Sequence, residues 1–264
     1  MSKAMIGFVA ALMLVPVVTR VNSARAADLN VIVSGALTGA FRELIPQFEA
    51  ASGHKVMLAW GPSSGTSKDA IPVRIQNHEP ADVLIMVGPA LDSLINQGKF
   101  SAASRVEVAE SRIGVGVRKG APRPDVSTTS ALKHTLLQAK SIGYSEGASG
   151  VYISTKLLKI LDIEDQISGK ARKITGELVG EAIERGDVEL GLQQVSELLA
   201  ISGVDFVGPL PEDVQLASPI SAAVSSNANE PDAAKAFVDF LSSEKAAATL
   251  QKSGLDQVAK SKQR

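Results

Sequence analysis

Three times in this chain an apolar or β-branched run stops at a cluster of small and hydroxyl residues and then restarts with helical spacing. The copies are Val31-Ile32-Val33-Ser34-Gly35-Ala36-Leu37-Thr38, Leu58-Ala59-Trp60-Gly61-Pro62-Ser63-Ser64-Gly65-Thr66 and Ile142-Gly143-Tyr144-Ser145-Glu146-Gly147-Ala148-Ser149-Gly150. A strand that turns through small residues into a helix leaves the first backbone N–H groups without intrahelical partners, beside hydroxyls that cap or donate. Such an end is an anion site. Plain N-capping accounts for any one copy; three copies point to a shared oxyanion pocket built from helix starts and backbone nests.

The pattern around these turns alternates strand and helix from Leu29 onward, the signature of an α/β fold with parallel sheets covered by helices. Strands are predicted near 29–34, 55–60, 83–87, 113–117, 141–144, 172–175, 189–194 and 220–224. Helices are predicted near 38–52, 66–77, 89–97, 128–138, 150–161, 177–185, 231–242 and 244–253. Phe41, Leu44, Ile45 and Phe48 fall at helical spacing and belong to a core. Two α/β units emerge, with the C-terminal segment returning to the first: residues 27–110 plus 220–264 form one lobe and 111–219 the other. The chain then crosses between lobes twice. Because ligands in open α/β sheets bind outside the carboxyl ends of strands, the first two hydroxyl turns and the third become opposite walls of one cleft that closes about hinges.

Residues 1–26 read as a cleavable export signal. Lys3 precedes the apolar run Ala4 to Val18, and Ala24-Arg25-Ala26 has the small-x-small spacing of a cleavage site. The run is shorter than the roughly 20 residues a membrane span needs and is interrupted by Pro16. The expected location is a bacterial periplasm. The chain has no cysteine, and the exported part carries 24 basic against 28 acidic residues. This mildly acidic balance argues against nucleic acid as a partner. With Trp60 the single tryptophan, recognition falls to polar contacts rather than to sugar stacking. Metal-ligand spacings, nucleophile elbows, phosphate loops and dinucleotide fingerprints are absent from the sequence, so neither a metal nor a cofactor is expected.

The turn Ser34-Gly35-Ala36-Leu37-Thr38, the pair Ser63-Ser64, the run Pro80-Ala81-Asp82-Val83-Leu84-Ile85 and the segment Gly147 to Tyr152 resemble, in order and spacing, the periplasmic molybdate-binding proteins and their wider class of two-lobed solute-binding proteins. The resemblance implies the two-lobed periplasmic-binding-protein fold, with two crossover hinge strands and an interlobe anion cleft. By that likeness Ser34 and one of Ser63 and Ser64 would bind the anion, and Ser149, Gly150 and Val151 would supply backbone from the second lobe. Ala36, Leu37, Thr38, Gly65 and Thr66 belong to the same binding turns. The tyrosine that molybdate binders place in the strand before the chain returns to the first lobe is replaced here by Gln194 or its neighbour Gln193. That exchange turns the expected guest from a tetrahedral metal oxyanion toward a planar carboxylate.

The glutamine pair and the stretch Gly65-Thr66 through Ala70-Ile71-Pro72-Val73-Arg74 further resemble a branch of this class that includes a periplasmic aconitate isomerase. This resemblance implies cofactor-free allylic proton transfer on a tricarboxylate. The alternative is plain capture of molybdate or another small oxyanion or carboxylate by a monomer that hands it to an ABC permease. Three buried negative charges need partners. Arg74, with Lys68 behind it, is the candidate cation, and a solvated helix face is the other reading of each. For the proton, Tyr152 and Gln194 are the candidate catalytic residues, with Lys156 and Glu146 nearby. His54, His78 and His134 sit among polar neighbours and read as surface residues.

Overall fold

The computed structural model describes residues 26–258; apart from Ala26, the predicted leader lies outside them. Among the described residues ten strands form two five-stranded sheets. The first contains β1 (Asp28–Ser34), β2 (Lys55–Gly61), β3 (Val83–Val87), β4 (Val106–Ser111) and β10 (Ser218–Val224), in the order β2-β1-β3-β10-β4. The second contains β5 (Ile113–Arg118), β6 (Ile142–Ser145), β7 (Ala171–Ile174), β8 (Leu190–Gln194) and β9 (Val204–Pro209), in the order β7-β6-β8-β5-β9.

Each sheet is covered on both faces. In β1, Val31 and Val33 enter one apolar cluster with Phe41, Phe48 and Phe237, while Ile32 enters another with Ile71, Leu84 and Leu91. Alternation along a strand buried on both sides produces the continuous apolar run that the sequence shows. The second sheet divides its residues in the same way, with Val115 and Leu192 on one side and Val179, Ile183 and Val188 over the other.

The sheets are mixed rather than purely parallel, which corrects the expectation from the alternating pattern. β1 runs parallel to β2 and β3, and β6 runs parallel to β7 and β8. β10 runs antiparallel between β3 and β4, and β5 antiparallel between β8 and β9. The reason lies in the crossings. The chain leaves β4 at Ser111 and enters β5 at Ile113, and it leaves β9 at Pro209 and enters β10 at Ser218. Each crossing starts at the carboxyl end of one sheet and enters the other sheet from the same side, so the entering strand must oppose its neighbours.

Helices Thr38–Ser52, Gly88–Asn96, Thr129–Gln138, Pro231–Leu241 and Glu244–Lys252 lie where periodicity places them. The helix expected near 66–77 starts at Ile71 instead. Pro72 suits a first helical turn, and the Ile71 N–H donates to the Pro62 carbonyl at 3.0 Å, closing the intervening segment as a loop. The helix expected near 150–161 starts at Ala148 and contains a π-helical stretch at Ile153–Leu157. Strands β4 and β9 and the short helix Val195–Leu199 were not predicted.

Phe237 is fully buried and meets Phe41 and Phe48 edge-on, with ring centroids 6.0 and 4.9 Å apart. Phe237→Ala is expected to destabilise the protein by about 3–5 kcal/mol, the range for emptying an aromatic core site. A urea titration should show a lower midpoint with an unchanged slope.

Candidate functional site

The carboxyl ends of the parallel strands converge on one cavity of about 250 Å³ between the sheets. Its wall includes the last residues of β1 (Ser34), β2 (Gly61), β3 (Val87), β6 (Ser145) and β8 (Gln194). Gly176, two residues past β7, joins them.

The three hydroxyl turns meet here, each through a different local device. Ser34 Oγ accepts the Ala36 N–H at 3.4 Å, capping a single 3₁₀ turn before helix Thr38–Ser52, and Thr38 also lines the cavity. Ser63 Oγ, in the loop that follows β2, accepts the Val87 N–H at 3.1 Å and so ties that loop to the end of β3. A hydroxyl that accepts a backbone N–H keeps its own O–H to donate, so capping and anion binding coexist at both serines. Ser145 and Ser149 place their hydroxyl oxygens 3.0 Å apart, which uses one O–H and leaves the other. Gln193 accepts the Val179 N–H at 2.8 Å, and Gln194 accepts the Ser111 hydroxyl at 2.9 Å, tying the cavity wall to the first crossing.

Other predicted residues do not line this wall, and Thr66 and Val151 among them are exposed. Ala36, Leu37 and Gly150 are buried, Ser64 has a buried Oγ without a hydrogen-bond partner, and Gly65, Thr66 and Val151 do not line the cavity. Gly65 has φ +112°, and a Cβ there would come within 2.8 Å of Glu146 Oε2, so glycine permits this loop to lie against the opposite lobe. Tyr152 turns into the second lobe, where its hydroxyl donates to the Val214 carbonyl at 2.9 Å and burial pushes its phenol up. Arg74 also points away from the cavity. Its guanidinium donates to the carbonyls of Asp69 and Trp60 at 2.9 and 3.0 Å and to Glu79 at 2.7 Å, bracing the loop that carries Ser63. Of the histidines, His78 and His134 are exposed, whereas half-buried His54 accepts the Ala27 N–H at 3.2 Å.

Among the described residues no Lys, Arg or His lines the cavity, while Asp69, Glu146, Glu177, Glu181 and Glu197 do. Several of these carboxylates are already engaged. Glu177 holds Arg185 through contacts of 2.7 and 2.8 Å, Glu181 accepts the Leu178 N–H at 3.0 Å, and Glu146 accepts the Gly176 N–H at 3.3 Å. Glu197 differs. It is buried at the start of helix Val195–Leu199 and has no cationic partner among the described residues; burial raises its carboxyl to about 7, against smaller opposing contributions from hydrogen bonds with Gln193 and the Gln194 backbone. A Cβ on Gly35 would come within 2.7 Å of Glu197 Oε1, so this carboxyl from the second lobe rests against the backbone of the first hydroxyl turn. No group of three or more His, Cys, Asp and Glu among the described residues is placed to hold a metal ion.

The sequence reading missed Glu197. Its helix spans only five residues, too short for a hydrophobic period to register. The available signal was its place three residues after the strand-ending Gln194, the spacing at which a glutamate reaches back to the residue preceding a helix.

A family profile described as bacterial extracellular solute-binding protein matches residues 29–256. The chain is 43% identical over 230 residues to an aconitate isomerase of Pseudomonas sp., a match covering 87% of this chain and 88% of that protein. It is 26% identical over 246 residues to the molybdate-binding protein ModA of Azotobacter vinelandii, covering 88% of this chain and 91% of that one. The solved structure of the periplasmic molybdate-binding protein of Azotobacter vinelandii superposes with a TM-score of 0.71 at 19% identity, covering 88% of this chain and all of that one.

Glu197 also has a thermodynamic signature. Its carboxyl is raised in the folded state from 4.5 to about 7, so the stability it contributes is fully present below pH 4.5 and is lost as pH rises through 7. Relative to Glu197→Gln, which cannot ionise, the unaltered protein should lose about 3 kcal/mol between pH 4.5 and pH 8. Parallel urea titrations of the two proteins across that range measure it. A constant difference would place this carboxyl in water.

Proposed function

We propose that this chain, which belongs to the bacterial extracellular solute-binding protein family, is an aconitate isomerase that interconverts cis- and trans-aconitate in the interlobe cavity. The observation that carries this reading is the 43% identity to an aconitate isomerase over most of both chains. The cavity supports it, being small, lined by hydroxyls and amides, and furnished with a carboxyl able to gain or lose a proton near neutrality.

The substrate brings three carboxylates on a planar unsaturated skeleton. We assign their binding to the O–H groups of Ser34, Ser63 and Ser149, with the Gln193 and Gln194 amides against the skeleton. Closure of the lobes, residues 27–110 with 220–264 and 111–219, would exclude water and strengthen each of these contacts. The reaction is a migration of the double bond. A proton leaves the methylene carbon next to a carboxylate, and a proton is added at the far end of the resulting three-carbon system. No redox partner is required. In this reading the protein works in the periplasm as a monomer, after removal of residues 1–26.

A second reading is capture of a small oxyanion or carboxylate for delivery to an ABC permease. The molybdate-binding protein at 26% identity favours it. Incubation with trans-aconitate, followed by chromatography for cis-aconitate, separates the two. Turnover is expected, and Ser34→Ala should lower kcat/KM by roughly 10- to 100-fold, the equivalent of one charge-assisted hydrogen bond. Absence of turnover at micromolar protein, with a rise in Tm on adding molybdate but not aconitate, would establish the second reading instead.

A further inference from the structure

We propose that Glu197 is the residue that carries the proton between the two carbons of the substrate. The inference rests on the isomerase reading of the cavity and adds to it the group that does the chemistry.

Geometry singles this residue out. Proton transfer between carbons needs a base inside the cavity, within reach of a guest held by the hydroxyl turns. Tyr152 is outside the wall and bonded to Val214, and no histidine or lysine contributes to it. Gln194 is on the wall, but an amide side chain does not titrate in water's pH range. The remaining titratable groups there are carboxyls. Glu177 and Glu181 are committed to Arg185 and to the Leu178 N–H, and Asp69 and Glu146 lie toward the Gly61–Ala70 loop and Gly176. Glu197 lies between the lobes, against Gly35 of the first hydroxyl turn and beside both glutamines.

A structural explanation competes with this one, since a glutamate three residues beyond Gln194 can simply cap its helix. Capping does not require ionisation. Glutamine at this position would accept the same Gln194 N–H without the desolvation penalty that burial places on a charged carboxyl. An ionisable group kept at such a site, with a raised proton affinity, fits a proton carrier better than a cap.

The step balances without a co-reactant. A Glu197 carboxylate oxygen takes the methylene proton, an O–H bond forms as the C–H bond breaks, and the electron pair spreads over three carbons and the adjoining carboxylate. The neutral carboxyl then returns the proton to the far carbon. A C–H bond forms there, the double bond comes to lie on the other side, and the carboxylate is restored. The charged groups around Glu197 are Asp69, Glu146, Glu177 and Glu181 on the wall and Arg42 on helix Thr38–Ser52, which donates to the Ala200 carbonyl at 3.3 Å. Burial, rather than any of these charges, opposes ionisation of Glu197 and makes it the stronger base.

The test compares the unaltered protein with Glu197→Gln and Glu197→Asp, measuring turnover of trans-aconitate, deuterium uptake into recovered substrate in D2O, and aconitate binding by calorimetry. Glu197→Gln should bind aconitate within a fewfold of the unaltered protein while kcat falls at least about a hundredfold and deuterium uptake falls with it. Glu197→Asp, which keeps the carboxyl on a shorter arm, should retain measurable turnover. For the unaltered protein, kcat/KM should fall about tenfold per unit as pH drops below 7, a limb absent from the residual rate of the glutamine variant. If the unaltered protein turns over and Glu197→Gln keeps kcat within tenfold of it, the assignment of Glu197 is overturned while the isomerase reading stands. If the unaltered protein gives no turnover, both fall together.

Discussion

The structure depends on one topological constraint: the chain crosses between its sheets twice, both times at the carboxyl ends of the strands. A strand entering from that side must run against the parallel strands it joins, which is why β5 and β10 are antiparallel to their neighbours. The same constraint brings Ser34, Gly61, Val87, Ser145 and Gln194 onto one wall. Side-chain bonds secure the crossings. Gln215 takes the place of a strand partner for Ile113, accepting its N–H at 2.9 Å and donating to its carbonyl at 3.0 Å. Arg112, between β4 and β5, holds Glu212 from the second crossing and Asp256 near the end of the described chain. These two ion pairs are exposed and therefore weak individually. They join the two crossings and the end of the described chain at one residue.

The cavity solves the problem of an anionic guest without a basic side chain. Hydroxyls that accept backbone N–H bonds on one side and donate on the other pass the polarity of the backbone into the cavity. Arg74 shows why a cation was sought there and where it went. It sits on the helix following the second turn, as sequence proximity suggested, but its fork matches two carbonyls and Glu79, and this match shapes the loop that presents Ser63. A guanidinium used as a brace acts on the guest through position rather than through charge.

Much of the architecture was legible because strong periodicities rarely deceive: Thr38–Ser52 and Pro231–Leu241 announce themselves through apolar stripes, and β1 through its unbroken run. Pairing direction was not legible, because a strand's sequence records which faces are buried and not which way its neighbours run. The hydroxyl turns were legible as a set, since Ser-Gly clusters at strand ends are local features. The inward carboxyl was not. Glu197 owes its raised carboxyl to burial, at a place where it lies against Gly35, about 160 positions earlier in the chain; the hydrogen bonds with Gln193 and Gln194 beside it only partly offset that burial. Burial at a junction between lobes leaves no trace in local composition.

The acidic wall and the anionic guest are reconciled by the same carboxyl. A bound tricarboxylate adds negative charge beside Glu197 and raises its proton affinity further, which strengthens the carboxylate as the base that takes the methylene proton. Return of that proton to the far carbon leaves a carboxylate in a site that stabilises it poorly, which increases its capacity to abstract the next proton. Both directions of an isomerisation need such a group, because the residue must be acid and base in turn with little difference in free energy between the two states. An arginine in the same place would bind the substrate more tightly in ground and transition states alike and, protonated throughout, would take no proton from carbon. Uniform binding of that kind lowers KM and leaves the barrier where it was.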